Sequence, residues 1–126
     1  MIEQGRRLLL LAENKAGAAP WYQLAYQRLL EETPFSFGNP AGLADHASSC
    51  AANRGPSDAP LFLINNWVNT DPAPRPSIAA RVNAYATLLA RARACQRMRR
   101  HLPNLLAVDF YKSGDIFRVV RTLNGT

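Results

Sequence analysis

The chain has 126 residues, 48% hydrophobic and 19% charged, with a formal charge of +6. This is enough for one small domain with a core, which excludes wholesale disorder and a pair of ordinary domains. The longest unbroken apolar run, residues 8–12, falls far short of the roughly 20 residues of a membrane span. Glu13, Asn14 and Lys15 also end it before the about 7–15 apolar residues of a secretory signal, so the start reads as mature sequence or as a chain that begins partway through a longer one.

The first predicted element is a strand over residues 7–12, set between Gly5 and the polar Glu-Asn-Lys-Ala-Gly stretch. A helix is predicted over 21–32 after Pro20, with Trp21, Leu24, Ala25, Arg28 and Leu29 at helical spacing. Asn39-Pro40 caps and opens the next helix, and Gly55 is its expected stop. Residues 61–67, LFLINNW, form the second strand between Pro60 and a proline-rich stretch. Ser77 is the expected cap of the longest helix, whose apolar positions Ile78, Val82, Tyr85, Leu89 and Ala92 step by four and three. Residues 105–111, LLAVDFY, form the third strand, and a last helix starts near Gly114-Asp115.

Strands and helices that alternate in this way form a parallel sheet with right-handed crossovers. Near-continuous apolar strands suit burial on both faces. An eight-stranded barrel takes roughly 250 residues, twice what is present. The expected architecture is therefore α/β, a partial (β/α) TIM-type barrel with about three parallel strands and flanking helices, with residues 1–126 as one region.

Ligands of parallel α/β folds bind outside the carboxyl ends of the strands. Here those ends carry Glu13 after the first strand, Asn65 and Asn66 on the second, and Asp109 with Tyr111 on the third. A carboxylate inside LLAVDFY is costly to bury unpaired, so Asp109 is either a site residue or an acceptor for nearby backbone N–H groups. Asn65 and Asn66 point to opposite faces of an extended strand, so only one of them can face a barrel mouth. Two Cys and two His, widely spaced, make no zinc pattern, and neither a metal nor a cofactor is expected. Ser113-Gly114 reads as a helix cap rather than a phosphate seat, because Asp115 would repel the anion.

The charge sits in one place. Residues 81–100 hold six arginines and no acid, while the other nine basic residues balance the nine acids. A non-catalytic module using the Arg-rich segment 77–100 to bind nucleic acid or an anionic surface is therefore the alternative reading. At about 100° per residue, Arg93, Arg97 and Arg100 share one side and Arg91 lies far round from them. That scatter, with no aromatic in residues 86–109, disfavours nucleic acid.

LFLINNWVNT, then PSIAARVNAYATLLARARAC, then PNLLAVDFYKSGD, in this order and spacing, resemble the C-terminal half of PLC-like phosphodiesterases. These are barrel enzymes related to phosphatidylinositol-specific phospholipase C, and the bacterial secreted branch is the most similar. RLLLLAEN, PWYQLAYQRLLEETPFSF and CAANRG extend the likeness over nearly the whole chain. The resemblance implies cleavage of phosphodiesters such as phosphoinositide-type lipids by one histidine as base and another as acid, with an arginine steadying the developing charge.

Those groups belong to the family's first strands, to which no segment here corresponds, so the chain alone is expected to be inactive. By the same resemblance Asp109 is the carboxylate that orients a catalytic histidine. Glu13, Asn65, Asn66 and Tyr111 are candidate substrate contacts, with Asn66 standing where relatives often have His. The partners implied are a phosphodiester or phospholipid, and either a missing N-terminal half-barrel or a second copy joined at an exposed sheet edge. Cys50 and Cys95, each placed late in its helix, could meet at one rim. The secreted branch implies that they pair as a disulfide in an extracytoplasmic setting.

Overall fold

The computed structural model describes residues 3, 5, 8–15, 17–18 and 21–126. Two parallel sheets organise them. The smaller pairs β1 (Leu11–Ala12) with β2 (Gln23–Leu24), in register Leu11 with Gln23. The larger has β4 (Leu61–Asn66) at its centre, flanked by β3 (Leu30–Glu32) and β5 (Leu105–Val108), all parallel. The fold is thus α/β, a parallel sheet with flanking helices and no closed barrel.

The first two predicted elements are corrected. Of the strand expected over 7–12, only Leu11 and Ala12 pair, and Arg7 lies outside the described residues. The helix expected over 21–32 does not form. That segment is β2, one wide helical turn over Ala25–Leu29, and then β3. The helical spacing of its apolar residues is real, but Pro34 biases Thr33 toward an extended backbone and β4 offers Leu30–Glu32 a ladder. Tertiary pairing overrides a local preference worth only tenths of a kcal/mol, about 0.1–0.7 per residue.

The helices also break where side chains compete for the backbone. Asn39 caps α1 (Pro40–Ala44) by accepting from Gly42 N at 3.1 Å. Asp45 then interrupts it and caps the separate α2 (His46–Ser49), so no single helix runs to Gly55. α3 (Pro76–Val82) begins one residue before Ser77, because Pro76 is already shaped for a first helical turn. Asn83 ends it, and α4 (Tyr85–Arg99) follows. The Tyr85 N–H donates to Asp115 Oδ2 at 3.1 Å, so Asp115 serves the start of α4 rather than its own helix, α5 (Ile116–Leu123).

The core lies between one face of the large sheet and these helices. Phe62 and Ile64 of β4 pack against Ala92, Ala94 and the Cys50–Cys95 disulfide. Leu88, Leu89 and Val119 meet Leu106 and Val108 of β5. The opposite face carries Leu61, Leu63, Leu105 and Ala107, and it is only half covered: Leu105 is 42% exposed. The sheet has apolar residues on both faces and a packed core on one.

Candidate functional site

At the carboxyl ends of β3 and β4 a polar cluster forms around Glu32. Its carboxylate is 2% exposed and fully engaged. Oε1 accepts from Arg54 Nε and from Asn53 Nδ2 at 3.0 Å, while Oε2 accepts from Tyr26 OH at 2.9 Å and Asn65 Nδ2 at 3.1 Å. Burial would raise this carboxyl, but the hydrogen bonds from Arg54, Asn65 and Tyr26 outweigh it and hold the group below its ordinary range. Burial and the bond to Glu32 push the Tyr26 phenol up to about 12.

Arg54 ties the cluster together. Its guanidinium also pairs with Glu13 and donates to Tyr26 OH at 3.1 Å, and it lies 4.1 Å from the Tyr26 ring centroid and 4.8 Å from that of Phe35. The hydrogen bond to Glu32 fixes it as a cation against the cost of burial. The loop that carries Arg54 lies along the outer edge of β3: Glu32 N donates to Arg54 O, and Asn53 N donates to Glu32 O. Gly55 makes that approach possible. A Cβ there would stand 1.9 Å from Leu30 O, and its φ is +88°.

The structure brings Glu13 and Asn65 together in this cluster. Asn65 is fixed by a further bond from its Nδ2 to Thr33 O at 2.8 Å and by one from its backbone N to Thr33 Oγ1 at 3.0 Å. Asn66, the other candidate on β4, faces the helices instead, away from this cluster. It donates to Val82 O and Asn83 Oδ1, accepts from Arg91 at 3.2 Å, and is 1% exposed.

Among the described residues Arg91 is a buried cation with no acidic partner. It donates to Ser49 O, Ser49 Oγ, Asn65 O and Asn66 Oδ1, and burial lowers its guanidinium to about 10. It locks the end of β4 to α2.

Asp109 lies one residue past β5, and Asn83 Nδ2 holds its carbonyl at 2.9 Å. Its carboxylate accepts no hydrogen bond from a described residue, so it does not act as a backbone cap. Phe110 follows with φ +49°, a left-handed turn uncommon outside glycine that diverts the chain. Tyr111 is 52% exposed and packs edge-on against Phe117 of α5 at 6.2 Å, apart from the Glu32 cluster.

Neither histidine stands at a strand carboxyl end. His46 opens α2, and His101 stacks on Phe62 near the start of β4 with Nδ1 3.6 Å from Glu31. The helix expected over 21–32 hides Tyr26 and Glu32, and the helix expected to run to Gly55 hides Asn53 and Arg54. The available signal was Glu31-Glu32-Thr33-Pro34, where the proline argues for an extended backbone.

The family model of the PI-PLC X domain, PI-PLC X 1, matches residues 1–124. The chain belongs to the PI-PLC X family. A curated relative of this PI-PLC X chain, the PI-PLC X domain-containing protein 1 of Arthroderma benhamiae, is 26% identical over 136 residues. That alignment covers 99% of the PI-PLC X chain described here and 43% of the relative, so the chain spans less than half of that protein's length. No solved structure matches.

Among the described residues no group of His, Cys, Asp and Glu could hold a metal ion. No described helix is long and apolar enough to cross a membrane. The disulfide, with its Cα atoms 4.8 Å apart, is compatible with an extracellular location.

Proposed function

We propose that this chain is the headgroup-binding part of a phospholipase C-like phosphodiesterase fold, acting on phosphodiesters such as phosphoinositide-type lipids, and that by itself it does not cleave them. The observation that carries this reading is the Glu32 cluster at the strand ends. Two carboxylates, Glu13 and Glu32, surround one guanidinium, Arg54, leaving a net negative charge. The exposed Glu13 carboxylate of this cluster suits the hydroxyls of a polyol, which donate to carboxylates, and the net negative charge disfavours a phosphate. Cations for the phosphate and the acid–base pair would have to come from elsewhere. Asp109, with an unengaged carboxylate, is suited to hold a histidine tautomer supplied in that way. Tyr111 would stand at the rim.

The half-covered apolar face supports docking of a complementary half-barrel or a second copy. The disulfide favours an oxidising compartment. Hydrolysis of a chromogenic phosphodiester by the purified chain tests the proposal. The expected rate equals that of buffer. A measurable rate that Asp109→Asn abolishes would contradict it.

A further inference from the structure

On the outer side of the sheet a second polar site exists that the Glu32 cluster does not explain. Arg93, Gln96 and Arg97 of α4, with Arg100, His101 and Leu102 beyond it, line an open groove of about 520 Å³. We propose that this groove binds a small soluble phosphate monoester, such as a phosphorylated sugar.

The arginines of this segment fall into two kinds. Arg91 is used up by carbonyl and hydroxyl acceptors, and Arg99 pairs with the buried Glu31. Arg93, Arg97 and Arg100 are exposed and form no ion pair or side-chain hydrogen bond with a described residue. They nevertheless converge, as their spacing along α4 requires. No carboxylate lines the groove.

The helix C-terminus does favour cations, but its dipole amounts to about half a negative charge against three guanidiniums. The remaining excess positive charge calls for an anion, and guanidiniums match phosphate oxygens in bidentate geometry. Arg100 holds a left-handed backbone, φ +54°, where glycine or asparagine usually ends a helix. His101 stacks on Phe62, with its Nδ1 3.6 Å from Glu31.

Size and placement choose among anions. The groove is open, and its volume of about 520 Å³ exceeds what a lone phosphate fills. No Phe, Tyr or Trp lines it, so bases of a nucleic acid would find no stacking partner. His101 stacks on the second residue of β4, which puts the groove at the amino ends of the strands. The Glu32 cluster is at the carboxyl ends. A bilayer presented to that cluster would therefore lie away from the groove, which favours a soluble ligand.

Titration of the full chain with glucose 6-phosphate at low salt, followed by amide shifts of Gln96 and Leu102, tests this, with glucose as the uncharged control. Saturable shifts with glucose 6-phosphate and none with glucose are expected. Arg97→Gln combined with Arg100→Gln should weaken binding at least about tenfold. Thermal melting should stay unchanged, since both side chains are exposed. Arg81→Gln, an exposed charge change outside the groove, should leave the affinity unaltered.

No saturation, equal weakening by Arg81→Gln, or unchanged affinity in the double variant would overturn the proposal. Tighter binding of short RNA, or of mixed phosphatidylcholine–phosphatidylserine vesicles, sensitive to the same two arginines would also overturn it. The groove would then belong to a polyanion.

Discussion

Glu32 keeps its charge inside the protein because four donors from three segments meet its two oxygens. Arg54 arrives from 22 residues later and Asn65 from 33 residues later. The sign of the pH effect follows from the lowered carboxyl. A group depressed on folding stabilises above its unfolded value and loses that contribution as pH falls through the folded value. Glu32 therefore supports the fold at neutral pH, and this support fades below about pH 4.5, the ordinary carboxyl value. Glu32→Gln should cost about 1–3 kcal/mol at pH 7, since Arg54 retains Glu13 but loses its buried partner. Urea melts of both proteins from pH 7 to pH 3 should converge at the acid end. A constant gap across that range would show that shape rather than charge is what matters at this position.

Residues were legible in the sequence where strand alternation alone decides. That Asn65 and Asn66 face opposite ways follows from the pleat, and the choice between them came only with the neighbours: Glu32 on one side, Arg91 on the other. Two adjacent glutamates give no sign of burial until their long-range arginines are known. Glu31 and Glu32 each find one, Arg99 and Arg54, on opposite faces of β3.

Among elements, β3 depends on the loop laid against its edge. Gly55 is the point of closest approach, and a side chain there meets backbone rather than a movable group. Gly55→Ala should destabilise by about 2 kcal/mol or more, through both the clash and the left-handed φ. The ladder bonds between the loop and Glu32 should open with it. Hydrogen exchange at Glu32 and Asn53 reads this directly, and protection equal to that of the native chain would refute it.

Further round the sheet, the Cys50–Cys95 disulfide ties the end of α2 to α4 across 45 residues. Closing such a loop is worth roughly 4 kcal/mol in the chain-entropy treatment, with measured values typically about 2–4. Replacing both cysteines by serine should lower the melting temperature by about 8–15 °C. A change under a few degrees would mean that packing alone holds these helices. Helix ends were the least legible elements. Asp45 and Asn83 look like ordinary helix residues until the Asp45 side chain is seen to accept from Ala47 N and the Asn83 carbonyl from Asp115 N, which takes up backbone groups that a continuous helix would need.

For the molecule as a whole, the alternation of strands and helices was enough to read a parallel α/β sheet and a partial barrel. Family membership agrees with that reading over residues 1–124. β3 is not legible in the sequence. The sheet gains β3 where a helix was expected, while the N-terminal strand shrinks to a two-residue pairing with β2. Apolar residues on both faces of β4 and β5, with helices over one face only, are the whole-molecule feature that a docking half-barrel would explain.

One sample can test the proposal that the Glu32 cluster holds a polyol headgroup without cleaving it. Glycerophosphoinositol is added to the isotope-labelled chain carrying Arg97→Gln and Arg100→Gln, which silences the outer groove. Amide and phosphorus spectra are then recorded together over hours. The account predicts saturable shifts at Tyr26, Glu32 and Asn65, absent in the further variant Glu32→Gln, with a phosphorus signal that stays that of the intact diester. Shifts confined to other regions, or the growth of a cyclic or monoester phosphorus signal, would contradict it.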